Sequence, residues 1–166
     1  MGRSAADGLE PSGVRVIRRR QRGFTLIELL LVIALIGIIG AMIVPNFVMI
    51  LRQAAIKRVI ADIEAIGLEI ETFEQWQERW PESLDELDGG PYLDRWGNPY
   101  QYLPSTSEKW NGKRRRDRFI VPLNSDFDLY SMGPDGQSRP PLTARKSWDD
   151  IVRANDGLFV GPANEF

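Results

Sequence analysis

Histidine and cysteine are both missing from the 166 residues. Their absence removes the commonest general base, imidazole ligation of zinc, thiol nucleophiles and disulfides. Any metal site must therefore be built from oxygen. An exported domain without disulfides has to be held by its core, by neighbouring subunits or by a hard cation. Also lacking is a small-residue signal-peptidase site of the A-x-A type after the one long apolar run. No Ser-His-Asp set, P-loop or thiol constellation can be assembled, so an enzyme tethered to a membrane is a remote alternative. The length suits one domain with appendages.

Charge is distributed unevenly. Residues 1–23 carry six Arg against Asp7 and Glu10, which leaves 15 basic and 21 acidic residues in the rest of the chain. A basic front before an apolar run reads as a targeting signal. Residues 24–47, FTLIELLLVIALIGIIGAMIVPNF, would make a helix of about 36 Å, enough to cross a hydrocarbon core of about 30 Å. The arginines stay on the cytoplasmic side by the positive-inside rule, so everything after about Asn46 lies across the membrane. Glu28 sits inside the apolar run. A carboxylate there costs a few kcal/mol on insertion scales, so it is either functional with a partner or snorkelling at the membrane edge. Pro45 removes a helix hydrogen bond and either loosens the segment, with Gly37 and Gly40, or marks the end of the span.

The string Arg22-Gly23-Phe24-Thr25-Leu26-Ile27-Glu28 resembles the prepilin-type signal of type IV pilins and type II secretion pseudopilins. That resemblance implies cleavage between Gly23 and Phe24 by a prepilin peptidase and N-methylation of Phe24. It also implies that Glu28 meets the Phe24 amine of a neighbouring subunit during assembly, with Pro45 at a position that resembles the family's. The 23-residue leader is longer than many in the family, which leaves the start codon open.

From Val48 to about Glu78 the pattern turns amphipathic. Ile56, Val59, Ile60, Ile63, Ile66, Ile70 and Phe73 recur at three-and-four spacing, with charges between them, and predict a continuing helix whose stripe needs a sheet to cover it. Trp80-Pro81 stops it, and PESLDEL opens a short helical turn. Alternating aromatics around a Gly97-Asn98-Pro99 turn predict a strand at Pro99–Leu103; further strands are expected at Arg118–Leu123 and Asp126–Met132. The run Lys113-Arg114-Arg115-Arg116 reads as a solvated hairpin loop, and no nucleic-acid partner is expected of a net acidic domain.

The tail concentrates Asp135, Asp149, Asp150 and Asp156 among glycine turns. Such oxygen donors suit calcium. The alternative is that Pro134-Asp135-Gly136 is a turn and that Ser147 or Asp149 caps a helix beginning near Asp150. DRWGNPYQY and DFDLYSMGPDG, followed by Asp149-Asp150, resemble the major pseudopilin family of type II secretion systems. The resemblance implies a calcium ion held by the Met132 carbonyl and the side chains of Asp135, Asp149 and Asp150, with Ser131 and the Ile151 carbonyl as plausible additions. It implies an α+β, type IV pilin-like fold divided into a cleaved leader (1–23), a transmembrane and assembly helix (24–47) and a periplasmic domain (48–166). The implied function is a homo-oligomeric pseudopilus filament at the bacterial inner membrane that drives protein export across the outer membrane. Its implied partners are minor pseudopilins, prepilin peptidase and the inner-membrane secretion platform. A type IV pilus subunit is the alternative; many such pilins close the C-terminal loop with a disulfide, which this chain cannot form.

Overall fold

The structure is a computed structural model that describes residues 23–166; the leader arginines lie outside the described residues. The chain divides into two compact units, Met1–Ile43 and Val44–Phe166. One helix, α1 (Leu26–Gln77), contributes to both. Among the described residues it alone is long and apolar enough to cross a membrane. Its apolar first part is exposed along its length, with Ile27, Leu31, Ile38 and Ile43 all more than half accessible. That is the surface expected of a segment solvated by lipid or by other helices.

In the second unit α1 becomes amphipathic as its periodicity predicts. Val59, Ile63, Ile66 and Ile70 are buried, each contributing about 1.5–3 kcal/mol by leaving water. Against them lies an antiparallel sheet of four strands in sequential order: β1 (Gln101–Pro104), β2 (Phe127–Ser131), β3 (Ile151–Ala154) and β4 (Phe159–Pro162). Strand alternation sends Phe127, Leu129 and Ile151 into the core beside α1. On the opposite face Val152 and Ala154 pack with Leu123, Leu142 and Ala163. The middle of the sheet is thus buried on both sides. A one-turn helix, α2 (Trp110–Lys113), lies between β1 and β2, and Ser83 caps a 3-10 turn at Leu84–Glu86 within the expected PESLDEL turn.

Two local expectations are corrected. Arg118–Leu123 is not a strand: Asp117 and Ile120 exchange backbone hydrogen bonds of 3.0 and 2.6 Å around Arg118, whose φ is +36°. Pro122 then withholds the N–H a ladder would need. No helix begins near Asp150 either. The β-branched pair Ile151-Val152 opens β3, and Ser147 bonds across to Arg139, accepting from its N–H at 2.9 Å and donating to its carbonyl at 2.8 Å.

Candidate functional site

At the head of the first unit Phe24 is 90 % exposed. Thr25 and Glu28 form a reciprocal cap on α1. The Thr25 N–H and hydroxyl both donate to Glu28 Oε2, at 2.9 and 2.8 Å, and the Glu28 N–H donates to Thr25 Oγ1 at 3.3 Å. This is a capping box, satisfying donors that a helix start leaves without partners. The spacing Thr-x-x-Glu carried that signal in the sequence, beneath the more conspicuous anomaly of a carboxylate in an apolar run. Pro45 lies within α1, so it does not end the helix.

In the second unit the two aromatic-acidic motifs are locked together. Asp94 is buried; its Oδ1 accepts from the N–H groups of Trp96 and Asn98, and its Oδ2 accepts from the Ser131 hydroxyl at 2.6 Å. Asn98 donates onward to the Gly133 carbonyl at 2.8 Å. Gly133 adopts φ +66° with Asp149 packed against it, so a Cβ there would strike the Asp149 carbonyl and carboxylate. Loop 132–136 is therefore held between the DRWGNP turn and the Asp149 segment.

Of the four expected ligands, the Met132 backbone, Asp135 and Asp149 share this neighbourhood. The Asp135 N–H lies 3.4 Å from Asp149 Oδ2, and Asp135 Oδ1 accepts from the Gln137 N–H. Asp150 is turned elsewhere. Its fully buried carboxylate meets Arg115 at 2.6 Å and accepts from the Ser138 hydroxyl. Among the described residues no three acidic groups are gathered at one point. Yet Asp150 Oδ1 is buried with no hydrogen-bond partner. Burial pushes the Asp150 carboxyl above its usual range despite Arg115, and the charge of Asp149 adds to the push. An all-oxygen donor set suits a hard cation, but the Asp150 carboxylate that carries the orphaned oxygen is held by Arg115, away from the Asp135–Asp149 neighbourhood.

Arg115 is what sequence reasoning missed. Within the run assigned to solvent it is only 2 % exposed. Its guanidinium covers the Tyr130 ring at 4.2 Å and donates to Ser138 and the Arg139 carbonyl, while its backbone N–H donates to Asp128 at 2.5 Å. Arg153 performs a similar service at the other end of the sheet. It holds Asp126 through both oxygens at 2.8 and 2.7 Å, lies 4.1 Å over Phe127 and reaches Glu71 of α1 at 3.5 Å.

Residues 18–44 match the family model described as the prokaryotic N-terminal methylation motif. The type II secretion system core protein G of Pseudomonas aeruginosa is 32% identical over 142 residues, covering 72% of this chain and 88% of the relative. This chain belongs to the core protein G family. Core protein G of Aeromonas hydrophila is likewise 32% identical over 143 residues, with 73% and 88% covered. A relative in Myxococcus xanthus, named type IV major pilin protein PilA, is 32% identical over 88 residues and shares 53% of this chain but 39% of its own length. No solved structure matches. The long helix on a small antiparallel sheet is the type IV pilin-like α+β fold, and this chain builds it with Arg115 and Arg153 as internal cross-ties.

Proposed function

We propose that this chain is a structural subunit, not an enzyme, of a type II secretion pseudopilus. It sits in the inner membrane by a single span, with its sheet-bearing domain in the periplasm, and polymerises into a filament. The observation that carries this reading is the extent of the likeness to core protein G. At 72% of the chain it reaches far beyond the 18–44 signal, which alone would suit any pilin-like protein. The Myxococcus pilin would favour a type IV pilus, but it shares only 39% of its length with this chain.

The finer steps of the proposal follow from the residues. Prepilin peptidase cleaves between Gly23 and Phe24 and the new amine of Phe24 is methylated. Glu28 receives that amine from a neighbour, which makes a carboxylate in hydrocarbon tolerable only in the docked register. Pro45 gives α1 local freedom by omitting one backbone hydrogen bond. The inner-membrane secretion platform adds subunits, and minor pseudopilins start or cap the filament. Calcium would be held by the Met132 carbonyl and the side chains of Asp135 and Asp149, with Asp150 joining them through the Oδ1 that Arg115 leaves unbonded. The ion would supply positive charge where those carboxylates meet.

The test is assembly itself. When the full chain is produced with its secretion machinery, electron microscopy should show periplasmic or surface filaments reactive with antibody to this chain, and deleting its gene should abolish export of the secreted proteins. Unimpaired export in the deletion strain, with pili lost, would move the chain to the pilus reading.

A further inference from the structure

Two exposed patches of opposite character stand apart on the second unit. Alongside the C-terminal part of α1, an open groove of about 590 Å³ runs between the helix and the 86–89 loop. Leu68 and Trp76, 64 % and 80 % exposed, form its apolar wall. Glu69, Glu86 and Asp88 line it, and the one cation at its edge is Arg79, 5.0 Å over the ring of the lining Phe73, so the groove stays net acidic. Glu86 is already paired with Arg79, and Glu69 accepts from the Tyr92 hydroxyl. Asp88 has no ion pair among the described residues.

The second patch is the turn found where a strand is expected at Arg118–Leu123. The mutual hydrogen bonds of Asp117 and Ile120 throw Phe119 outward, 98 % exposed, with Ile120 and Val121 beside it at 43 % and 49 %. Arg116 and Arg118 lead into the tip with Asp117 between them; both are exposed, and neither has an ion pair among the described residues. An aromatic ring gains much from burial, and single exposed apolar residues are ordinary; three consecutive ones directly after two exposed arginines form a small continuous patch.

We infer that the Phe119 tip of one subunit docks in the Leu68–Trp76 groove of the next copy of this chain. Charge complementarity selects this occupant. Tip against tip would oppose arginines, and groove against groove would oppose carboxylates, whereas tip in groove pairs the two signs. Because donor and acceptor patches differ, the contact is heterologous and repeats without closing, as an open filament requires. Phe119 and Trp76 are then the aromatic anchors and the charges a rim that steers register. The inference rests on the pseudopilus reading.

The chain has no cysteine, so Thr72→Cys and Ile120→Cys can be introduced together without background, leaving Phe119 and Trp76 intact. Assembled filaments of this full-length variant, treated with a short bis-maleimide, should give a covalent ladder extending beyond dimers. Adding Phe119→Ser should lower ladder yield by about thirtyfold, the scale of a lost hot-spot anchor. Filaments visible by electron microscopy but yielding no ladder would overturn the tip-in-groove contact and leave the pseudopilus reading standing. A ladder step formed by Ile120→Cys alone would also overturn it, as a tip-to-tip contact or a contact with another protein. Absence of filaments from the parent chain would instead remove the functional reading and this contact with it.

Discussion

Arg115 and Asp150 are the residues at which this domain is most exposed to damage. Both are buried, and each has one polar atom without a hydrogen-bond partner. A buried pair of this kind has little net worth against apolar replacements, because two charges were taken from water to make it. Breaking it is another matter, since the surviving charge stays buried alone. Arg115→Leu should therefore cost about 3–5 kcal/mol, and Asp150→Leu should be of comparable severity. The double variant should cost clearly less than the two together, with a coupling of about 2 kcal/mol in urea denaturation of the detergent-solubilised chain. Simple additivity would mean that the two groups act independently. Arg115 was invisible in sequence because a run of four basic residues carries no periodicity to separate its one inward member from three outward ones.

The elements differ in how openly the sequence declares them. For α1, seven apolar positions at helical spacing meet a Trp-Pro stop, and the helix ends at Gln77. β1 and β2 lie within a residue or two of the expected spans because aromatic alternation and turn residues frame them. β3 is hidden in the sequence because both its faces are buried. Ile-Val-Arg-Ala shows no alternation, and the Ser and Asp before it imitate a cap. β4 gave no strand signal at all, its GP sequence reading as a turn. The loop joining these strands to β2 is where calcium is proposed. Asp135 and Asp149 are anchored beside one another, and bringing Asp150 Oδ1 to the same ion closes the 132–150 segment. Binding only the folded form stabilises it by about 2.7 kcal/mol at a hundredfold excess over Kd. Millimolar calcium added to chelator-treated protein should thus raise Tm, and Asp135→Ala with Asp149→Ala should abolish the rise. An unchanged melting curve would reduce Asp135 to a turn residue.

At the scale of the whole molecule, Glu28 is the point where folding of one chain and assembly of many compete for the same carboxylate. In the single chain it closes a capping box with Thr25. In the proposed filament it answers the cationic Phe24 amine of a neighbour, and that amine exists only once the leader has been removed. Mass spectrometry of the membrane-extracted protein should accordingly find a chain beginning at methylated Phe24. An intact Met1 terminus in cells with an active prepilin peptidase would contradict this. The two roles of Glu28 then separate by chemistry, because glutamine completes a capping box as glutamate does but carries no charge. Glu28→Gln should preserve insertion, cleavage and the start of α1 while depriving the amine of its partner. Filament yield should fall nearly as far as in Glu28→Leu, which removes cap and charge together. If Glu28→Gln assembles normally while Glu28→Leu does not, the cap is what assembly requires, and pairing with the Phe24 amine is excluded.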